Sequence, residues 1–257
     1  MLRGDLYMNS VSKKVLLIDN SNSRTKFLLS VDGAIVSGMR MVPTADLSFI
    51  SLSELLIGFD YEAVIVCSVV PESRRVFERY FECPLHFVSA HSSMEMLFDY
   101  PGVATLGADR IAGCLGALST GLCPVVVIDA GTAVTFDVVD QRNSKPTYIG
   151  GTIAPGLRAF TEYMHCKTAL LPEVTLNMQA RAIASGTVEA IQAGALFGFT
   201  GMVNGILSRI CSELGYTPRM VVTGGDSGLI VNNLNYHATV DELLVFRGLA
   251  SLPSTLF

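Results

Sequence analysis

The feature that most restricts this chain is a near-repetition. The run VLLID leads through NSNS into RTKFLL, and about 110 residues later VVVID leads through AGTA into VTFDVV. Unbroken apolar runs such as 125–128 read as strands buried on both faces, and the alternation over 134–139 reads as a following strand. Two strand–aspartate–turn–strand units at this spacing suggest two related α/β halves facing each other, rather than a solenoid. Two unrelated hairpins, with Asp and Gly serving only as turn formers, would give the same local pattern. As a site, a carboxylate at the lip of a strand, beside a turn offering N–H groups and a hydroxyl, suits a cation and phosphate oxygens.

The rest of the chain extends each unit. Strands are expected at 15–18 and 27–31, an Asp32-Gly33 hairpin, and a third strand returning over 34–41. A short helix over 52–58, a buried strand over 63–68, an amphipathic helix over 71–81 and a strand over 85–88 follow, an order that implies parallel crossovers. After the Pro-Gly turn beside Tyr100 comes Gly107-Ala108-Asp109-Arg110 and a helix over 111–120. Asp109 is either an ordinary first-turn residue or a carboxylate placed to accept a hydroxyl proton, with Arg110 beside it to hold an anion. The glycines and prolines of 148–157 predict a loop, and helices are expected over 158–168 and 187–214. The second helix carries Gly194, Gly198, Gly201 and Gly205 at helical spacing. Each glycine costs about 1 kcal/mol relative to Ala in a free helix, so close packing on another helix, or on a second subunit, is expected. A strand over 220–222 leads into Thr223-Gly224-Gly225-Asp226, a simple turn or a bare backbone that a base or ribose can approach. A helix within 241–252 closes the chain.

With 257 residues, half of them apolar and 16% charged, the chain has ample material for a folded core. A net charge of −5 without a basic block argues against nucleic acid as the main partner. No uninterrupted apolar run has the length of a membrane span, so no membrane is expected, and the first 13 residues read as a frayed lead-in without the apolar core of a signal peptide. Six scattered cysteines without a C-x-x-C pair suggest reduced thiols and a cytoplasmic protein.

Together the motifs resemble the type III pantothenate kinases, a branch of the acetate and sugar kinase, Hsp70 and actin superfamily. The matching segments are IDNSNSRTK, Tyr100 with LGADR, VIDAGTAVTFD, GGTIAPGL, LLP, GTVEAIQAG, VVTGGD and LLVFRGL, in the family's order over 15–249. The most specific is G-x-D-R followed about 20 residues later by D-x-G-T-A. The resemblance implies an α/β chain with a duplicated ribonuclease H-like (actin-like ATPase) fold, halves at 1–120 and 121–257, and a nucleotide cleft between them. It implies ATP-dependent phosphorylation of pantothenate to 4′-phosphopantothenate, the first step toward coenzyme A. Asp19 then resembles the acid that orients Mg²⁺, with Asn20, Ser21, Asn22, Ser23, Arg24, Thr25 and Lys26 as the phosphate segment. Thr132, Gly224 and Gly225 resemble further ATP contacts. Asp129 resembles the ligand of a monovalent cation, K⁺ or NH₄⁺. Tyr100, Gly107, Ala108, Asp109, Arg110 and Thr187 resemble the pantothenate contacts, with Asp109 as general base. A homodimer sharing the substrate site is a further family trait.

Two departures stand out. Ser21 replaces the glycine of the usual D-x-G-N-[ST], which would cost roughly 1 kcal/mol if that position needs φ > 0. Gly186 replaces the asparagine that usually precedes the contacting threonine. The alternatives are a non-catalytic regulator resembling the Bvg accessory factor branch, and a kinase for another small hydroxylated acceptor.

Overall fold

The computed structural model describes residues 12–92, 94–176, 180–253 and 256, so most of the expected lead-in lies outside the described residues. The first sheet is built around β1 (Lys14–Asn20). Antiparallel to it runs β2 (Arg24–Val31), followed through Asp32 and Gly33, both at positive φ, by β3 (Ala34–Ile35). The return stroke expected over 34–41 is split: β3 is two residues long, and β4 (Arg40–Pro43) pairs separately with β2 nearer the turn. Helix α1 (Phe49–Leu55) begins earlier than expected because Ser48 and Ser51 form a reciprocal capping box. Strand β5 (Ala63–Ser68), helix α2 (Pro71–Tyr80) and strand β6 (Leu85–Phe87) then extend the sheet by parallel pairing, β5 beside β1 and β6 beside β5.

The second sheet repeats the plan. Short β7 (Leu97–Phe98) and helix α3 (Ala108–Ser119) precede β8 (Val125–Ala130), which pairs antiparallel with β9 (Ala133–Arg142). Of residues 148–157, expected as a loop, 148–155 instead form most of β10 (Lys145–Pro155), antiparallel to β9, with β7 on its other edge. Their glycines are accommodated by a register shift between Tyr148 and Gly150, so the strand carries a bulge rather than ending. Helices α4 (Leu157–Lys167) and α5 (Thr187–Leu214) follow. Strand β11 (Arg219–Thr223) lies parallel to β8, and α6 (Ser227–Asn232) leads to β12 (Thr239–Val240), parallel to β11, before α7 (Leu244–Ala250).

Strand periodicity sorts the side chains into layers. Leu16 and Ile18 of β1 pack with Leu52 of α1 and Phe77 of α2, whereas Val15 and Leu17 face α3 and α7. In β8, Val126 and Ile128 pack with Leu157 of α4 and Phe199, Val203 and Leu207 of α5, whereas Val125 and Val127 face α3. Helices α3 and α7 are thus sandwiched between the two sheets. The inward phase of β1 continues from Leu17 to Asp19, and that of β8 from Val127 to Asp129. Period two alone therefore brings both strand-end carboxylates to the space between the sheets.

Helix α5 ends in a left-handed Gly215 and is long and apolar enough, at a mean hydropathy of 1.4, to meet the length and composition of a membrane span. The apolar side formed by Phe199, Val203 and Leu207 is spent on the second sheet. Gly198 packs on Phe160 of α4, as expected for helix contact, but Gly194, Gly201 and Gly205 face open space.

Candidate active site

The two repeated turns meet. Ser23 Oγ of the first lies 3.4 Å from Thr132 Oγ1 of the second. Asp19 is 7% exposed and sits opposite Lys26 in the β1–β2 register, with Lys26 Nζ 3.3 Å from its Oδ2. In the second unit the residue opposite Asp129 is Thr135, so only one of the two acids has a cationic neighbour across its hairpin. The Thr223–Asp226 turn rests on the second unit: Asp226 N donates to the Ala130 carbonyl at 3.1 Å. Gly224 has φ +90°, and a Cβ there would strike that carbonyl and the Asp129 carboxylate, so a glycine is required. Gly225 is exposed with nothing within 4 Å of where a Cβ would stand, an open face for a flat ligand.

Asp109 enters the same space from the first turn of α3, where its Oδ1 accepts from Arg110 N at 2.8 Å. Burial raises the Asp129 carboxyl to about 7, and the charges of Asp109 and Asp19 add to the rise. Asp19 is raised too, by burial and by Asp109, against the pull of Lys26. Between them Cys67, which neighbours Asp19 in the β1–β5 register, is pushed up by burial and by all three carboxylates. Three mutually repelling carboxylates with one lysine make a cleft that favours cations, and oxygen donors suit hard ones. Among the described residues no three acidic, His or Cys side chains stand close enough to enclose an ion by themselves. A cation here would be shared with ligand oxygens and water.

A second group of candidates surrounds Arg110. Its guanidinium meets Asp137 of β9, Nε and Nη2 each 2.7 Å from Oδ1. Burial works against the Arg110 charge, but Asp137 more than restores it, and the net shift is upward. Tyr100 stands edge-to-face with Tyr148 of β10, centroids 5.4 Å apart. Asp137 and Tyr148 were not among the sequence candidates. The available signal was a carboxylate at the inward phase of an apolar strand, which demands a buried partner.

The phosphate segment divides in two. Asn20 and Thr25, expected as ligand contacts, are buried and brace the loop: Asn20 Nδ2 donates to Thr25 Oγ1 at 2.7 Å, and Ser68 donates to Asn20 Oδ1 at 2.6 Å. Asn22, Ser23 and Arg24 are exposed. The strain expected at Ser21 does not arise, because the non-glycine residues with positive φ among those described are Asp32, Asn143 and Ser144. Ser21 closes the turn, its N and Oγ both donating to the Arg24 carbonyl. Gly107 caps α3 under Asp109, and Ala108 behind it is buried. Thr187 is exposed at the start of α5, and among the described residues no hydrogen bond ties it to the other substrate candidates.

The raised Asp129 has a consequence for stability. A folded value of about 7 against an unfolded value near 4 means that the folded chain holds the extra proton between those limits. Its contribution is complete below about pH 4 and is lost as pH rises toward 7. The ligand-free protein should lose melting temperature across that window, and Asp129→Asn should flatten the slope. Equal slopes in the two proteins would refute this assignment.

The family described as type III pantothenate kinase matches residues 15–209. A type III pantothenate kinase of Akkermansia muciniphila is 44% identical over 234 residues, covering 91% of this chain and 96% of the relative. One from Methylacidiphilum infernorum is 37% identical over 244 residues, covering 94% and 89%. Among solved structures, a Baf-family protein of Campylobacter jejuni, described as a transcriptional activator, superposes with TM-score 0.62 at 22% identity over 92% of this chain and 96% of its own. A ROK-family glucokinase from Streptomyces griseus, solved with glucose and AMPPNP, gives 0.58 at 14% identity over 94% and 99%. At these identities the structural likenesses speak for the fold alone: two α/β halves of the actin-like ATPase and sugar kinase type.

Proposed function

The chain belongs to the type III pantothenate kinases and phosphorylates pantothenate from ATP at the head of coenzyme A synthesis, and from that premise we propose which of its residues do the work. The observation that carries the assignment is the convergence of Asp19, Asp109 and Asp129 on one cleft, two of them from the repeated strands and the third from α3. Asp109 accepts the proton of the pantothenate hydroxyl as its oxygen bonds to the γ-phosphorus. The bond to the β–γ bridging oxygen breaks and ADP leaves. Asp19 orients the Mg²⁺ that accompanies ATP, and Lys26, Ser23, Asn22 and Thr132 hold phosphate oxygens. Mg²⁺, when bound, neutralises the charge on the transferred phosphoryl. Asp129 faces a monovalent cation, K⁺ or NH₄⁺, and Gly224 and Gly225 receive the nucleoside. Arg110 and Tyr100 contact the acceptor, with Arg110 meeting an anionic oxygen.

We read the chain as halves 1–120 and 121–257 around the nucleotide, located in the cytoplasm. The chain forms a homodimer on the exposed glycine face of α5, with Thr187 at the start of that helix counted among the contacts of a substrate site shared at the interface. The test is ADP release with ATP, Mg²⁺ and K⁺, with and without pantothenate, repeated with Na⁺ in place of K⁺. Turnover dependent on pantothenate and K⁺ supports the assignment. Absence of turnover from folded, dimeric protein overturns it in favour of a regulator.

A further inference from the structure

We propose that Asp137, seconded by Tyr148 and Thr135, is a positioning residue that fixes the direction of the Arg110 guanidinium in the acceptor pocket. The proposal rests on the reading above that Arg110 meets an anionic oxygen during the reaction.

Asp137 lies in the middle of β9, 1% exposed, in the phase that faces α3. Its Oδ1 accepts from Nε and Nη2 of Arg110 at 2.7 Å each and from the Tyr148 hydroxyl at 2.9 Å. Its Oδ2 accepts from Thr135 Oγ1 at 3.1 Å. The carboxylate is thus met by four donors from two strands and one helix. Burial pushes the Asp137 carboxyl up, and Arg110 and the two hydroxyls oppose that shift. An arginine at a helix start has a long, freely rotating stem, and one hydrogen bond would leave its plane undefined. Bonding along one edge removes that freedom.

The far side is closed as well. The Arg110 side chain is 11% exposed, and a Cβ on Gly151 of β10 would stand 2.9 Å from Nη2. With Nε–H and one Nη2 N–H committed, the second Nη2 N–H and the two on Nη1 are left to meet a ligand. Tyr148 adds a second link, because its ring supports Tyr100 edge-to-face while its hydroxyl reaches Asp137. One buried carboxylate–phenol pair therefore sets both side chains of the acceptor pocket that lie away from the three clustered acids. A pair that only stitched α3 to the second sheet would affect stability without steering the reaction.

The experiment compares Asp137→Asn and Tyr148→Phe, each alone and combined with Arg110→Gln, in steady-state kinetics. Alongside, the Arg110 Nε–H resonance is followed by ¹⁵N NMR and assigned by its loss in Arg110→Lys. Asp137→Asn should impair the same kinetic parameter as Arg110→Gln, by on the order of 10²-fold, as expected for a displaced contact group. Tyr148→Phe should follow with a smaller effect. The KM for ATP should stay within about twofold, and the double variant should be no worse than Arg110→Gln alone. The Nε–H signal, slow to exchange in the wild type, should broaden or vanish in Asp137→Asn. Full activity in Asp137→Asn, losses that multiply in the double variant, or an unchanged Nε–H signal would overturn the proposal. If Asp137→Asn does not fold, Tyr148→Phe and Thr135→Val decide it by the same readouts. A wild-type protein without pantothenate-dependent turnover defeats the functional reading instead, and the NMR result then decides whether Asp137 holds Arg110.

Discussion

Asp109→Asn is expected to fold normally and to lose on the order of 10²-fold in kcat, the usual worth of a positioned general base. The amide is isosteric and can keep the one intramolecular role seen for the carboxylate, accepting from Arg110 N at 2.8 Å. It cannot take the hydroxyl proton. Stability should move the other way. Asp109 raises both Asp19 and Asp129, so removing its charge relieves repulsion in the cleft, and the melting temperature should not fall. The pairing of lost turnover with retained or improved stability separates a role in chemistry from one in folding. A fully active Asp109→Asn enzyme sinks the base assignment, and an inactive one that melts well below the wild type leaves it without support.

The second large effect is expected where α3 and α7 cross. A Cβ on Gly248 would run into the Ala112 carbonyl and come within 2.9 Å of Gly116 N, while a Cβ on Gly116 would strike the Leu244 carbonyl. Backbone meets backbone here, with no flexible side chain to give way. Gly248→Ala should cost roughly 3 kcal/mol or more, at the upper end for overpacking in a core. For a chain of this size that corresponds to about 10 °C in melting temperature, measured by calorimetry or denaturant titration. A loss of only a degree or two would mean that the crossing can spread at little cost.

How much could be read from the sequence follows from which signals compete. β1, β5 and β8 were legible because strands covered on both faces need unbroken apolar runs, and their ends were marked by acids and small residues. The family motifs added the roles proposed for those acids. β10 was illegible for the opposite reason. Its Gly150-Gly151 and Pro155-Gly156 carry local turn signals, yet pairing along β9 outweighs them, and Gly150 at φ +125° absorbs the bulge. The serine in the first turn looked costly only because the position was assumed to be left-handed. Its hydrogen bonds to the Arg24 carbonyl close the turn without a positive φ. Asp137 has no legible role in the sequence, since its partner Arg110 comes from another element 27 residues away. A one-dimensional pattern shows that a buried charge needs company, not which residue supplies it.

The position of α7 bears on how the protein is made. This helix comes from the end of the described chain, yet it packs against β1, β3 and β5, and the Ala250 carbonyl lies 3.3 Å from where Gly33 would carry a Cβ. During translation the first sheet therefore waits, with the part of its inner face around Val15, Leu17 and Ile65 that α3 does not cover left bare, until residues 244–250 have left the ribosome. At the usual pace of synthesis that interval is on the order of 10 s or more. The nascent N-terminal half is then a natural client for chaperones that hold apolar surface, and a chain cut short before α7 exposes that surface permanently.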